Sequence, residues 1–358
     1  MTWELYISQA SPYSIKIAAL MGYMGIDHEV KIQNLWTRFS VIKKLTGKTM
    51  VPILRRGQWA MNDSTEIARH LIEESPVPTL PRAREAELLC WLLEDFADEW
   101  VVRWQMVTRW GVDRDRRAVS ELIGRELTGA VPVGSRALGE RVGQVIQKSL
   151  RPYGLRQEND AALLASRERT LQALEAILSG GPAYLFEGYP TVADFAFFGP
   201  LGQFRRDPTG RECLEGYPAI QGYLDRMEAM AARPPEVAVV DCESRPIEEL
   251  HPLFAEVMGT YWPSLIANFE AQEAGGRGRE AVAPLIDGQS FRFRSSRYLV
   301  ERLQEILGAV DEAYGKRDHL FGEFGLRMEH GLVHRIADLS ETESGRRLLS
   351  EYRHLGLH

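Results

Sequence analysis

Thr46-Gly47-Lys48-Thr49-Met50-Val51-Pro52-Ile53-Leu54-Arg55-Arg56-Gly57-Gln58-Trp59-Ala60-Met61-Asn62-Asp63-Ser64 is the stretch on which the fold turns. Its β-rich runs, Val51–Leu54 and Trp59–Met61, flank Arg55-Arg56-Gly57-Gln58, the make-up of a hairpin connection. Asp63-Ser64 then offers side chains that cap a helix running through Ile67, Leu71 and Ile72. Upstream, Trp3–Ile7 and His28–Ile32 read as short strands. Between and after them, Pro12–Gly25 carries helix-spaced apolar residues behind a proline suited to a first turn, and Leu35–Leu45 has helix spacing ended by Gly47. The order βαβ then ββα predicts a mixed sheet with helices on its faces.

Ser75-Pro76-Val77-Pro78-Thr79-Leu80-Pro81 cannot continue a helix, because its prolines remove backbone donors, so it reads as a linker. From Arg84 to about Met230 the pattern is helical, with long amphipathic stretches at Glu85–Trp110 and Ala161–Leu178 and a Gly- and Pro-richer part at Thr128–Gly154 whose elements stay open. Arg233-Pro234-Pro235-Glu236 breaks the helix spacing again. Beyond it lies a mostly helical segment with an extended piece at Ala283–Phe293, turned at Asp287-Gly288. Three parts are expected: residues 1–76, 83–232 and 247–358.

Composition narrows the function. A length of 358 residues with 44% hydrophobic and 26% charged residues is that of a multidomain globular chain, and no run approaches the ~18 apolar residues of a membrane span. Lys and Arg number 43 against 50 Asp and Glu, a net charge of −7 that gives no general attraction to nucleic acid or to an anionic membrane. Cys90, Cys213 and Cys242 form no paired motif, so neither a disulfide framework nor a zinc site is expected. His330 and His334, four apart with Gly331 between them and no acidic partner, read as a solvated pair, and no metal is expected. With no basic-then-apolar start visible, a reduced, cytoplasmic protein is the expectation.

In order along the chain, Ala10-Ser11-Pro12-Tyr13-Ser14, the Val51-Pro52 segment, Asn62-Asp63-Ser64-Thr65-Glu66-Ile67 and Pro190-Thr191-Val192-Ala193-Asp194-Phe195 resemble the glutathione S-transferase superfamily. The first motif is similar to the Cys-Pro-Tyr turn of glutaredoxins and omega-type transferases, with Ser11 at the cysteine position; the phrase around Val192–Leu201 and the tail resemble longer bacterial members. The resemblance implies an α/β thioredoxin-like N-terminal domain, an all-α transferase-type C-terminal domain and an additional mostly helical C-terminal extension.

It also implies glutathione as co-substrate. Val51, before a cis Pro52, would pair with the peptide backbone; Asp63 would take the γ-glutamyl amine, and Ser64 at a helix N-terminus the γ-glutamyl carboxylate. Arg38, fourteen residues before Pro52, or Lys48 would meet the glycyl carboxylate. Ser11 would polarise the thiol, with Tyr6 as rival, while plain capping by Ser11 remains the bland alternative. A serine cannot form the mixed disulfide of a cysteine, which argues against thioltransferase chemistry. The implied function is a glutathione S-transferase acting on an apolar electrophile, with a scaffold protein or a glutathione-dependent lyase or isomerase as alternatives and a homodimer as assembly. Trp36, Trp104 and Trp110 are candidates for a second-substrate wall against a core reading. Thr191 and Asp194 read as a structural capping box.

Overall fold

The computed structural model describes residues 2–129, 133–232, 244–275 and 278–314. Cys242, His330, His334 and the last part of the extension lie outside the described residues. The chain opens β1 (Trp3–Ile7), α1 (Pro12–Tyr23), β2 (His28–Ile32), α2 (Leu35–Thr37), a π-helical turn at Arg38–Ile42, α3 (Lys43–Thr46), β3 (Ile53–Arg56), β4 (Trp59–Asn62) and α4 (Ser64–Glu74). The sheet order is β2-β1-β3-β4; β1 pairs parallel with β2 and antiparallel with β3, and β3 antiparallel with β4. Alternation along β1 sends Leu5 and Ile7 into the main core with Ile17 and Leu20 of α1, and Tyr6 to the other face with Ile42 and Ile53.

Two boundaries differ from the sequence reading. β3 begins at Ile53, because Val51-Pro52 is a cis peptide standing outside the ladder. Arg55 and Arg56 belong to the strand, which leaves Gly57-Gln58 as the turn, with Gly57 at φ 65° where a side chain is disfavoured.

Helices follow: α5 (Arg84–Phe96), a π-helical turn at Ala97–Val101, α6 (Val102–Gly111), α7 (Asp113–Thr128), α8 (Ser135–Leu150), α9 (Asp160–Leu178), α10 (Val192–Arg206), α11 (Pro208–Leu214) and α12 (Pro218–Ala232). The π turn splits the long stretch expected over Glu85–Trp110, and α8 fills the part left open at Thr128–Gly154. α10 is buried on every side from Val192 to Phe204, the mark of a central helix, and packs along α1 and α5. Gly199 makes the first contact possible, since a Cβ there would sit 2.7 Å from the Pro12 carbonyl oxygen. The Thr191–Asp194 box is formed: Asp194 accepts from the Thr191 N–H and hydroxyl, both at 2.7 Å, and from the Leu185 N–H at 2.9 Å.

The extension holds α13 (His251–Glu256), a π-helical turn at Val257–Tyr261, α14 (Trp262–Glu273), β5 (Glu280–Pro284), β6 (Ser290–Arg294) and α15 (Arg297–Tyr314). The expected extended piece is thus a two-stranded hairpin with alternating burial, its inward Phe291 and Phe293 fully covered. Side chains dock it as a strand would. Asn159 donates to the Arg292 carbonyl at 2.7 Å and accepts from its N–H at 3.0 Å, and Asn268 does the same for Ser296 at 3.0 and 2.8 Å. Among the described residues no helix is long and apolar enough to cross a membrane.

Candidate functional site

The loop from β1 into α1 is where the sequence placed its chemistry, and Ser11 is the N-cap of α1. Its backbone is extended (φ −94°, ψ 121°), and its Oγ accepts the Ser14 N–H at 3.2 Å. The capping reading therefore holds. It leaves the hydroxyl hydrogen, which capping does not use, at a helix N-terminus where unsatisfied donors favour negative charge.

Tyr6 is elsewhere. Its ring is buried against Ile42 and Ile53 on the opposite face of the sheet from α1, and its hydroxyl accepts from Arg55 Nη1 at 3.5 Å. Tyr13, the second residue of α1, donates its hydroxyl to the Asp98 carbonyl at 3.1 Å; burial first, then Glu99 and Asp98, push its pKa well above the ordinary value.

Asp63 is the non-glycine residue with positive φ among the described residues, at φ 86° and ψ 120°, and it caps α4 by accepting the Thr65 N–H at 3.1 Å. Such strain is costly and gathers where surroundings or ligands demand it. Ser64, next in line, is buried and donates its hydroxyl to Asp98 Oδ2 at 3.2 Å. Its hydroxyl hydrogen is thus committed, so an anion at this end would meet backbone N–H groups of α4 rather than the Ser64 side chain.

On the other flank, Arg38 lies in the first π-helical turn, half-buried. It donates to Gln33 Oε1 at 3.2 Å and Thr49 Oγ1 at 3.5 Å, which places its guanidinium beside the segment leading to Val51-Pro52. Lys48 is exposed, and its backbone N–H donates to Thr46 Oγ1 at 3.4 Å. Because Tyr6 pairs with Ile53, Val51-Pro52 runs beside the end of β1, just before the Ser11 loop.

Asp98 joins the two helix starts. Lys16 of α1, fully enclosed, donates to Glu94 Oε1 at 2.5 Å and to Asp98 Oδ2 at 2.7 Å; Thr65 donates to the same Glu94 oxygen at 2.8 Å. The second turn of α1, through Lys16, and the first turn of α4, through Ser64 and Thr65, are therefore tied to one pair of carboxylates on α5 and the π turn after it. Burial pushes the Asp98 carboxyl upward, against the pull of Lys16.

A second network holds the loop from the helical side. Glu126 of α7 accepts from Ser8 Oγ at 2.7 Å and the Gln9 N–H at 2.5 Å; Arg109 of α6 donates to the Ala10 carbonyl at 2.8 Å and pairs with Asp207 at 2.7 Å; Gln203 of α10 donates to the Gln9 carbonyl at 2.7 Å. Sequence reasoning missed Lys16, Glu94, Asp98, Arg109, Glu126 and Gln203. Their one local signal was polar residues falling on apolar helix stripes, because every partner is far away in the chain.

The three tryptophans do not form one wall: Trp104 is core, edge-on to Phe204 at 5.5 Å, Trp110 belongs to a small cluster with Ala10, and Trp36 is 68% exposed. No cluster of metal-ligating side chains is found among the described residues.

A family model described as the glutathione S-transferase N-terminal domain matches residues 5–79, and one described as the glutathione S-transferase C-terminal domain matches residues 156–226. These two stretches are thus glutathione S-transferase domains, in the order N-terminal then C-terminal. Among solved structures, the chain is similar to the β-etherase LigF from Sphingobium sp. strain SYK-6, at 20% identity over 65% of this chain and 97% of that one, with a TM-score of 0.48. It is similar also to a glutathione S-transferase-like protein from Pseudomonas syringae (19% identity, 65% of this chain, 68% of that one, TM-score 0.44). A third is the holo form of maleyl pyruvate isomerase, a bacterial zeta-class glutathione S-transferase (20% identity, 65% of this chain, 100% of that one, TM-score 0.40). No curated protein matches the chain.

Proposed function

We propose that this chain is a glutathione-dependent transferase that binds the tripeptide along the Val51-Pro52 edge and sharpens its thiol for attack on an electrophilic small molecule. One observation carries the reading. Asp98 is shared by the first turns of α1 and α4, so two helix N-termini, each with unsatisfied donors, lie side by side at the edge of the sheet. A ligand with a thiol at one end and a carboxylate at the other suits that pair.

The roles follow from the atoms each residue leaves free. Val51 lies outside the β1–β3 ladder, so its backbone groups are available to an added peptide strand. Asp63 keeps a second carboxylate oxygen beyond the one that caps α4, and that oxygen faces the γ-glutamyl amine. The first N–H groups of α4, starting at Ser64, take the γ-glutamyl carboxylate. Arg38 is preferred to Lys48 for the glycyl carboxylate, because its anchoring to Gln33 and Thr49 holds a forked donor near Val51. Ser11 donates its remaining hydrogen to sulfur, and a thiolate so held attacks by nucleophilic substitution. Tyr6 has no part in this, given its place behind the sheet.

Calorimetry with glutathione, followed by turnover with 1-chloro-2,4-dinitrobenzene, tests the proposal. Heat of binding together with conjugate formation is the expected result. Binding without turnover points to a scaffold, and no heat at millimolar glutathione removes the reading.

A further inference from the structure

Glu126, near the end of α7, is a buried carboxylate, 8% exposed, that no cation answers among the described residues. An unpaired charge is costly to enclose, and burial pushes its pKa up. What holds the charge is the loop from β1 into α1. Oε2 accepts the Ser8 hydroxyl at 2.7 Å and Oε1 the Gln9 N–H at 2.5 Å, and both bonds pull the pKa back down.

Ser8 passes this grip on. Its Oγ accepts the Ala10 N–H at 3.3 Å, its carbonyl accepts the Ser11 N–H at 3.0 Å, and its own N–H donates to Ser14 Oγ at 3.3 Å. The Ser14 N–H donates in turn to Ser11 Oγ at 3.2 Å, so both the backbone and the hydroxyl oxygen of Ser11 are referred to Ser8. Without Glu126, the Ser8 side chain loses the acceptor that sets it and the Gln9 N–H is left without one. Ser11 inherits that freedom.

Helix α7 cannot follow a moving loop. Gly124 and Gly139 let α7 and α8 meet backbone to backbone, since a Cβ on either would collide with the carbonyl oxygen of Ser135 or Ser120. Ile123 and Leu127, on either side of Glu126 along α7, share a small apolar cluster with Ala10. Fastening a loop needs no desolvated charge, because an amide or a hydroxyl would serve. Charge-assisted hydrogen bonds are shorter and roughly twice as strong as neutral ones, which suits a group that must hold position.

We propose that Glu126 is a positioning residue for thiol activation, holding Ser8 and Gln9 so that the Ser11 hydroxyl meets the glutathione sulfur. This role, which rests on the glutathione function proposed above, concerns the sulfur end alone; Val51, Asp63 and Arg38 are on other elements. Helix α7 lies in neither stretch matched by a family model.

Glu126→Gln and Ser8→Ala, separately and together, are compared with wild type in the full chain, with melting curves establishing that each is folded. The readouts are hydrogen exchange of the Gln9 amide without ligand, ultraviolet thiolate absorbance of bound glutathione against pH, and turnover of 1-chloro-2,4-dinitrobenzene. In Glu126→Gln, Gln9 exchanges faster and the thiol pKa rises by about one unit, so kcat below that pKa falls about tenfold while KM for glutathione stays within about twofold. The sign separates two roles. Were Glu126 only a nearby negative charge, its removal would lower the thiol pKa, whereas loss of a held donor raises it. Ser8→Ala shifts the pKa in the same direction, and the double variant is no worse than the more affected single one, as for residues acting as a unit. A thiol pKa unchanged or lowered in Glu126→Gln, or effects that add in the double variant, overturns the proposal while the glutathione function stands. A wild type that neither binds nor conjugates glutathione removes that function, and this role with it.

Discussion

Replacing Ser11 by alanine removes two separable contributions. Its oxygen accepts the Ser14 N–H at 3.2 Å, an N-cap whose loss destabilises by about 1 kcal/mol. Its hydrogen, in the proposed complex, donates to the glutathione thiolate, and a hydrogen bond to a charged group contributes about 1.5–3 kcal/mol. At about 1.4 kcal/mol per unit, the pKa of bound glutathione rises by roughly one to two units when that donor is lost. Aspartate at the same place separates the effects. It caps as well as serine, so Ser11→Asp keeps the stability, yet it sets a negative charge beside the sulfur and raises the thiol pKa at least as far. The assay is ultraviolet thiolate absorbance against pH, with glutathione bound to wild type, Ser11→Ala, Ser11→Asp and Tyr6→Phe, alongside urea unfolding of each. The expected pattern is a raised thiol pKa in both Ser11 variants, a stability loss in Ser11→Ala alone, and an unmoved pKa in Tyr6→Phe. A thiol pKa unchanged in Ser11→Ala would refute the reasoning and leave Ser11 a cap.

Further outcomes follow from the same contacts. Lys16→Met strands Glu94 and Asp98 as uncompensated buried acids and is expected to destabilise by about 3–5 kcal/mol in urea unfolding, with partial recovery in Lys16→Met/Asp98→Asn. Asp63→Gly relieves the strain at φ 86° at the cost of a few tenths of a kcal/mol in capping, so thermal stability holds or rises while glutathione affinity by calorimetry falls several-fold. Asp95, pushed by burial from its ordinary 3.8 to about 7, binds its proton more tightly in the folded state, so it withdraws stability as pH rises between about 4 and 7; Asp95→Asn should flatten the drop in melting temperature from pH 5 to pH 8. Asn159→Leu unpins Arg292, and faster hydrogen exchange in β6 than in β1 checks it.

The sheet and its helices were legible because local rules act there: Gly47 ends a helix, Gly57 turns a hairpin, and Thr191 with Asp194 caps α10 within four residues. Position 51 was legible in kind and misplaced in extent, because the strand pattern of Val51–Leu54 continues through a residue that the cis bond takes out of the ladder. The hairpin of the extension was seen as one extended piece; Asp287-Gly288 gave the turn, but the partner strand rests on Asn159, more than a hundred residues earlier. For the site, residue types at helix starts carried the reading of Ser11, Asp63 and Ser64. Nothing local could show that the hydroxyl of Ser64 is turned to Asp98, since only the tertiary fold sets residues 64 and 98 together.

That last contact bears on why the candidate groove has a defined shape at all. The surface between the sheet domain and the helices is not sealed by apolar groups alone. Lys16, Glu94, Asp98, Arg109, Asp207 and Glu126 all cross it or brace those that do, and each is at least nine-tenths buried. Such pairs add little net stability against an apolar substitute of equal volume, because desolvation offsets most of their attraction. What they do impose is geometry, since a guanidinium or ammonium satisfied by two acceptors tolerates little sliding, whereas packed methyl groups tolerate more. Arg109 fixes the Ala10 carbonyl, Glu126 fixes the Gln9 N–H, and Asp98 fixes the starts of α1 and α4. The loop carrying Ser11 is thereby set from three sides by side chains of the helical part. A thiol bound there would meet a hydroxyl and helix N–H groups already in place, and little reorganisation would accompany its ionisation.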